Sequence, residues 1–412
     1  MPKKVLVLST LDERGKGHAW STFQFFKHTL GLDADFICLL RSFPDTEKYI
    51  IDKVNPHNLK NIWYNIVIFL CKLLFARWPK MRSLYKGYDF ANAKDILKRI
   101  DYKPDYIYIG SYQFFLSPKS IYRLWKQTGA TIIISMVDEK ILSGGCPYPI
   151  NCFEYRNGCK DCSLYPYLKC IPRSIVKQKE KYFSKIPLHI VGTSYDMNKT
   201  KEVSFLKDKV LHSTVGVPSI PFVKSKHEAR KQFGISDDSF VILSGAVNPN
   251  TTVKGFSYLI ESLKAFSKTI NDKNVSFMIL GKEKPAMDLP NNIEIVFPGF
   301  LDLNGLFTAY YACDVYVSPS LLDSGPFMVN YAIACGRPVV AFPVGIAIDL
   351  VKQKETGWTA KFKDVNDFAS GINYFYGKTN EELDAISTKC TSHINSFKEN
   401  PWYSMLIDEN HA

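Results

Sequence analysis

A lysine and an aspartate stand at the ends of two strand-like runs in the second half of the chain. Lys254 follows the run Phe240 to Gly245, and Asp323 follows the run Asp314 to Val317. The carboxyl ends of parallel strands meet at one edge of a sheet, which is where open α/β sheets bind ligands. An ammonium group and the free N–H groups of a helix N-terminus both attract a diphosphate. The spacing predicts a diphosphate site with Lys254 on one side and, on the other, a helix that opens after Asp323 at Ser324, Gly325 and Pro326.

The residues after Asp323 are typical of a βαβ unit. Pro326 suits the first turn of a helix, and Gly336 suits the position just after its end. Pro338 to Phe342 is apolar and β-branched, as a buried parallel strand requires. We therefore predict strand, turn, short helix and strand over residues 314–342.

A glycine loop also follows the first apolar run of the chain. Gly15 and Gly17 separate the run Val5 to Ser9 from a predicted helix, and His18 stands at its start. A plain tight turn would use the same glycines, so the motif alone is weakly specific.

The stretch after Asp323 resembles the donor signature of family 4 retaining glycosyltransferases. That signature is Glu-x7-Glu followed by Ala-x-Ala-Cys-Gly-x-Pro-Val-Val, and Ala332 to Val340 match its second part. The positions of the two glutamates correspond to Asp323 and Tyr331, so this chain has Asp-x7-Tyr. The resemblance implies the GT-B fold: α/β, with two Rossmann-like domains facing across a cleft and a C-terminal helix that crosses back to the N-terminal domain.

The resemblance also implies roles for individual residues. In the family a lysine stabilises the leaving diphosphate, the first acid lies near the donor sugar, and the second acid holds the ribose. These roles fall on Lys254, Asp323 and Tyr331, and a phenol can still hydrogen-bond a ribose. The arginine that usually precedes the lysine is missing. Further catalytic candidates are Asp138 and His18, and further donor-binding candidates are Gly15, Gly17, Asn248, Gly281, Gly299, Phe300, Ser324, Gly325 and Pro326.

The function implied is transfer of a hexose from a UDP- or GDP-sugar to a lipid-linked or oligosaccharide acceptor in surface polysaccharide assembly. Retention is implied, and no cofactor is required for catalysis. For Asp138 the alternative is a helix-capping role. For the whole chain the alternatives are a nucleotide-sugar or glycan-binding pseudoenzyme, because of Tyr331 and the missing arginine, and a GT-B epimerase or phosphorylase.

Half of the ten cysteines lie within 25 residues. The predicted metal ligands are Cys146, Cys152, Cys159 and Cys162, with the spacing C-x5-C-x6-C-x2-C. Four thiolates so placed could bind one structural Zn²⁺ tetrahedrally. Free thiols and a disulfide pair are the alternatives. Similar cysteine insertions occur in exopolysaccharide and capsule glycosyltransferases, which this chain resembles in that respect.

Strand-like and helix-length segments alternate in two series, which predicts two α/β domains. The stretch Gly216 to Phe222 is rich in proline and marks the division. We expect an N-terminal acceptor domain at 1–216 with the cysteine insertion at 138–172, a C-terminal nucleotide-sugar domain at 217–394, and a crossover segment at 395–412.

The formal net charge of +12 calls for an anionic partner. Phosphorylated substrates and anionic lipid are the two partners we expect. Nucleic acid is not expected, because no recognised nucleic-acid-binding signature accompanies the basic residues.

Between residues 60 and 86 basic side chains alternate with apolar ones. Such a helix could lie on a membrane surface, or it could be a core helix with a basic edge. The first apolar run is too short for a signal peptide, and no run reaches the roughly 18 to 20 apolar residues of a membrane span. The expected location is the cytoplasm, either free or peripheral on the inner face of the membrane.

Overall fold

The computed structural model describes residues 3–12, 18–55, 57–74, 90–112, 115–147, 149, 152–163, 168–216, 218, 220, 222–246, 248, 251–271, 274–323, 327–398 and 401–407, with the backbone alone at 18, 70–74 and 327. The chain divides into two compact units. The first contains Met1–Gly192, Asp196–Ser213 and Trp402–Ala412, and the second contains Thr193–Tyr195 and Thr214–Pro401.

The first unit is built on a parallel sheet with the strand order β3-β2-β1-β4-β5-β6-β7. Its strands are β1 (Lys4–Leu11), β2 (Asp33–Arg41), β3 (Tyr49–Asp52), β4 (Tyr106–Ile109), β5 (Thr131–Ser135), β6 (His189–Gly192) and β7 (Val210–Ser213). The helices between them are α1 (His18–Gln24), which continues as a π turn over Phe25–Thr29, α2 (Leu59–Leu74), α3 (Ala93–Leu97), α4 (Pro118–Thr128), α5 (Cys170–Phe183) and α6 (Ser194–Lys201). The strand order reverses between β1 and β4.

The second unit has a parallel sheet with the order β10-β9-β8-β11-β12-β13, which reverses between β8 and β11. Its strands are β8 (Phe240–Gly245), β9 (Val275–Leu280), β10 (Glu294–Gly299), β11 (Val315–Ser318), β12 (Val339–Ala341) and β13 (Gly357–Thr359). Its helices are α7 (Lys226–Phe233), α8 (Phe256–Ser267), α9 (Leu303–Ala312), α10 (Phe327–Ala334), α11 (Ala347–Leu350), α12 (Val365–Tyr376) and α13 (Asn380–Ser396). Both units are Rossmann-like, as the sequence predicted.

The glycine predicted to end the helix of the donor signature does so. Gly336 follows α10 with φ of +73°, a conformation that favours glycine. Its N–H donates to Ile333 O at 3.0 Å, and the Arg337 N–H donates to Ala332 O at 2.8 Å. These two bonds form a Schellman motif, which turns the chain sharply from α10 into β12.

The four strand-like runs named in the sequence analysis coincide with β1, β8, β11 and β12 within a few residues, whereas β3 and β7 were not predicted. Each has four residues and stands at an edge of the first sheet. Only two residues of β3 are buried and none of β7 is, so neither strand shows the apolar run by which a strand is predicted.

The end of the chain returns to the first unit as a 3-10 turn, Trp402–Leu406. The Trp402 ring stacks on Tyr108 with centroids 5.6 Å apart, and Tyr106 donates its hydroxyl hydrogen to Met405 O at 2.8 Å. Leu406 is fully buried there. The apolar residues of this segment are therefore part of the first unit's core.

Two histidines lie side by side at the edge of the first sheet. His189 Nδ1 on β6 and His212 Nε2 on β7 are 2.9 Å apart, and the rings are nearly parallel. Burial, and then the neighbouring His189 ring, lower the pKa of His212 to about 4, and burial also lowers the pKa of His189. Protonation would place two N–H donors face to face, so the folded protein favours the neutral rings.

We expect this pair to make the protein less stable in mild acid. A histidine that titrates near 6.5 when unfolded and near 4 when folded binds fewer protons in the folded state, so stability falls as the pH drops from about 6.5 toward about 4. His212→Gln should reduce this fall, as measured by the urea midpoint at about pH 7.5 and about pH 5. His227→Gln, which changes an exposed histidine, should keep the full fall of the wild-type protein. Equal losses in all three proteins would contradict the prediction.

Candidate functional site

The predicted lysine and aspartate meet at the carboxyl edge of the second sheet. Lys254 ends a 3-10 turn, Thr252–Lys254, that follows β8, and Asp323 lies in the loop that follows β11. Lys254 Nζ donates to Asp323 Oδ2 at 2.5 Å, and both side chains are partly buried. Since β8 and β11 are adjacent strands at the reversal of strand order, the pair stands where doubly wound sheets bind ligands.

The backbone fixes this pair from both sides. Leu321 N–H donates to Val253 O at 2.8 Å, which ties the loop after β11 to the turn that carries Lys254. Gly255 has φ of +66°, and a Cβ there would lie 1.9 Å from Pro319 O. Only glycine fits a left-handed conformation with a carbonyl so near. This contact depends on the loop after β11, so no local sequence pattern could predict it.

The helix that was predicted to bind the diphosphate begins at Phe327 in the structure. Ser324, Gly325 and Pro326, predicted to form its mouth, lie outside the described residues. The position of Asp323 shows that the loop leading to α10 starts beside Lys254. The prediction that this helix binds phosphate therefore stays a prediction.

Tyr331, at the position of the second acid, lies on α10. Its ring is half-buried and meets Phe307 edge-on, with centroids 5.4 Å apart. Burial raises the pKa of the Tyr331 hydroxyl, so the phenol is neutral at physiological pH and can both donate and accept a hydrogen bond.

The other donor-binding candidates of the second unit lie at the carboxyl ends of β8, β9 and β10. Gly281 is buried directly after β9, and its N–H donates to Gly299 O at 3.2 Å. Gly299 has φ of +84° and open space where a Cβ would be, and the next side chain, Phe300, is exposed. Asn248 lies in the loop between β8 and Lys254, and its carbonyl accepts from the Thr251 hydroxyl at 3.1 Å. All four residues thus share the sheet edge that carries Lys254.

In the first unit, Asp138 caps a 3-10 turn, Glu139–Ile141, just after β5. It accepts hydrogen bonds from the Lys140 N–H at 2.9 Å and from Lys140 Nζ at 2.8 Å. The capping role weighed in the sequence analysis is therefore present, and a catalytic role stays a prediction. The next residue, Glu139, is buried and pairs with Lys199 at 2.7 Å; burial raises the pKa of its carboxyl.

The structure describes the other candidate residues of the first unit only in part. Gly15 and Gly17 lie outside the described residues. His18 begins α1, and its side chain is not described. The N-terminal turn of α1 packs against the end of β4, because a Cβ at Gly110 would lie 2.4 Å from Ala19 Cβ. His18 therefore follows β1 at the point where the strand order of the first sheet reverses.

A buried lysine holds the loop that carries Asp138. Lys179 on α5 is fully buried, and its Nζ donates to the carbonyls of Lys140 and Ser143, the latter at 2.6 Å. Burial lowers its pKa to about 7. Sequence reasoning missed this residue, although it shares the helical spacing of the apolar residues Ile175, Val176 and Phe183, which form the buried face of α5.

The four cysteines predicted to bind zinc form no disulfide in the structure. Cys159 and Cys162 are buried, and Cys146 and Cys152 are partly buried. Cys159 Sγ accepts a hydrogen bond from the Gly144 N–H at 3.2 Å. Within the described part of the chain, no group of three or more His, Cys, Asp or Glu side chains is arranged to hold a metal ion. Zinc binding remains a prediction from the spacing.

Known proteins resemble this chain in sequence and in fold. Residues 239–378 match the family described as Glycosyl transferases group 1. An uncharacterized glycosyltransferase of Methanocaldococcus jannaschii is 29% identical over 157 residues, which is 36% of this chain and 39% of that protein. The match therefore spans less than two fifths of the relative.

Two solved structures superpose on nearly the whole chain. Sucrose-phosphate synthase from Thermosynechococcus elongatus has a TM-score of 0.61, 14% identity, and coverage of 98% of this chain and 96% of its own. Anabaena HepE, solved with UDP and glucose, has a TM-score of 0.57, 14% identity, and coverage of 96% and 95%. Identities this low establish the fold alone. Residues 239–378 are therefore similar in sequence to the glycosyl transferases group 1, and the chain with its two Rossmann-like units has the GT-B fold of these structures.

Proposed function

We propose that the protein is a glycosyltransferase of the hexosyltransferase class, which moves a sugar from a nucleotide-sugar donor to a lipid-linked or oligosaccharide acceptor. The observation that carries the proposal is the Lys254–Asp323 pair at the reversal of strand order in the second sheet. The family match over 239–378 includes both residues. Retention of configuration and a role in surface polysaccharide assembly are further parts of the proposal, and they rest on the sequence resemblance.

The chemistry required of the site is stabilisation of the charge that develops on the departing nucleoside diphosphate. Lys254 supplies a positive charge that Asp323 already holds in a fixed position at 2.5 Å. A cation positioned before the donor binds needs little rearrangement in the transition state. Asp323 would then lie between the ammonium group and the donor sugar, where it can accept hydrogen bonds from sugar hydroxyls.

The nucleotide base would be held at the neighbouring strand ends. Gly299 leaves space beside the backbone, and the exposed ring of Phe300 offers an apolar surface next to it. Because β9 and β10 lie on the side of β8 opposite to β11, base and diphosphate would lie along one sheet edge. UDP as the nucleotide is supported by HepE, which was solved with UDP and shares the fold.

Donor binding is tested by a thermal shift screen across UDP, GDP and their sugars. A ligand that binds only the folded state raises the melting temperature by mass action, so even a weak donor registers. We expect one nucleotide family to raise the melting temperature of the wild-type protein and of Lys231→Ala, which removes an exposed lysine of α7. Failure of every nucleotide to shift the wild-type protein would overturn the proposal.

A non-catalytic nucleotide-sugar-binding protein is the second candidate function. Tyr331 favours this function, because it stands at the position of the second acid in the family that the sequence resembles. Its ring packs on Phe307. The two functions separate in one assay that measures release of nucleoside diphosphate in the presence of cell-envelope acceptors. Release establishes turnover, whereas a thermal shift without release assigns the protein to binding alone.

A further inference from the structure

Helix α2 presents its apolar side outward. Five of its large apolar side chains have exposed fractions between 42% and 82%; they are Leu59, Ile62, Trp63, Ile66 and Phe69. The spacing of three and four residues puts them on one stripe of the helix. The opposite side of the helix contacts the rest of the first unit: Asn61 is buried and donates to Asn55 O, and the Tyr64 ring meets Phe90 with ring centroids 5.1 Å apart.

This arrangement is the reverse of an ordinary surface helix, which buries its apolar stripe. It also decides between the two sequence interpretations of this segment. A core helix with a basic edge would bury Trp63 and Phe69, and the structure leaves both exposed. An apolar stripe of this size in contact with water indicates a surface that binds a partner.

The charge of the surrounding sequence identifies the kind of partner. Residues 53–88 contain no Asp or Glu, and their basic residues are Lys53, Lys60, Lys72, Arg77, Lys80, Arg82 and Lys86. Seven positive charges within a chain of net charge +12 make this segment its most basic part. Apolar and aromatic side chains beside lysines and arginines are the composition of helices that lie in the interface of anionic membranes.

The helix is too short to cross a bilayer. Its 16 residues span about 24 Å, against about 30 Å for the hydrocarbon core. Among the described residues, no helix combines the length and the hydropathy needed for a membrane span. A helix with these properties would lie parallel to the membrane, with its apolar stripe in the acyl boundary.

We propose that the outward stripe of α2 docks the protein on an anionic lipid bilayer. The stripe would enter the interface while basic side chains contact lipid phosphates. A second copy of the chain is a poorer occupant, because it would bring two strongly basic segments together. The inference goes beyond the proposed function and does not depend on it, since binding to lipid needs no sugar transfer.

The test is flotation of the full-length protein with phosphatidylcholine vesicles that contain either no phosphatidylglycerol or about 30% of it. We expect binding to the anionic vesicles that weakens as salt is added. Trp63→Ser/Phe69→Ser should lower the affinity by at least about tenfold, because two aromatic side chains no longer enter the interface. Lys60→Gln should lower it by about fivefold, the effect of one positive charge near such a surface.

Matched controls are Phe153→Ser/Val223→Ser, which removes two exposed apolar side chains elsewhere, and Lys231→Gln. Both should bind vesicles like the wild-type protein. Unchanged binding by Trp63→Ser/Phe69→Ser, or absence of wild-type binding to anionic vesicles, would overturn the proposal. A dimer in sedimentation velocity that Trp63→Ser/Phe69→Ser dissociates would assign the stripe to a second copy and also overturn it.

Discussion

Replacing Lys254 with alanine is expected to lower the rate of sugar transfer by about 10² to 10³, the range found when one group that stabilises a transition-state charge is removed. The change removes the ammonium group that lies 2.5 Å from Asp323 and so makes the proposed diphosphate site more negative. Both effects act on the leaving group. The measurement is the steady-state release of nucleoside diphosphate, with kcat and KM determined separately.

Three further variants separate catalysis from folding. Lys254→Arg keeps the charge and should retain more activity than Lys254→Ala. Lys231→Ala, on the exposed surface of α7, should retain full activity. Because Lys254 and Asp323 touch, the effects of Lys254→Ala and Asp323→Asn should not add, and the double variant should be little slower than the slower single one. Full turnover in Lys254→Ala would remove this lysine from the reaction.

Local patterns predicted those parts of the second unit that depend on neighbours in sequence. The apolar runs gave the strands, and Gly336 gave the end of α10, because a left-handed residue after a helix is a local requirement. Lys254 and Asp323 were each predicted from their position after a strand. Their contact follows from the adjacency of β8 and β11, which the alternation of strands and helices alone does not specify.

The sequence did not predict which charged side chains are buried against partners far away in the chain. The charged run from Lys224 to Lys231 is typical of an exposed helix, but Arg230 within it is fully buried. Its Nε donates to Ala312 O at 3.1 Å, and its Nη2 donates to Asp314 at 2.8 Å. These partners lie more than 80 residues away in sequence. A single arginine in a basic run gives no local signal of such a contact.

The exposed stripe of α2 illustrates the opposite limitation. Its periodicity predicted an amphipathic helix, and the structure has one. Periodicity defines two faces of a helix but does not say which face the rest of the protein covers. Here the first unit covers the face with Asn61 and Tyr64, and the apolar face remains exposed.

The largest loss of stability is expected from Asp314→Ala. Asp314 is buried just before β11, and it accepts from Arg230 at 2.8 Å and from the Val241 N–H of β8 at 2.7 Å, with Lys226 as a second ion-pair partner. The alanine variant leaves the Arg230 guanidinium buried without a counter-charge. Removing one partner of a buried pair costs about 3 to 5 kcal/mol in the free energy of unfolding. Urea denaturation followed by circular dichroism measures it.

The control is Asp237→Ala, which breaks an exposed pair with His227 and should cost at most about 1 kcal/mol. Asp314→Ala/Arg230→Met should recover part of the loss, because it removes the unpaired charge as well. Equal stability of Asp237→Ala and Asp314→Ala would contradict the prediction, because burial would then not determine how much the Arg230–Asp314 pair contributes to the free energy of unfolding.

The strands β8 and β11 are joined at their amino ends by Asp314 and at their carboxyl ends by the Lys254–Asp323 pair. The first contact is buried, so a loss of charge balance there is costly. The second is partly exposed, as the proposed exchange of its partner for a ligand requires.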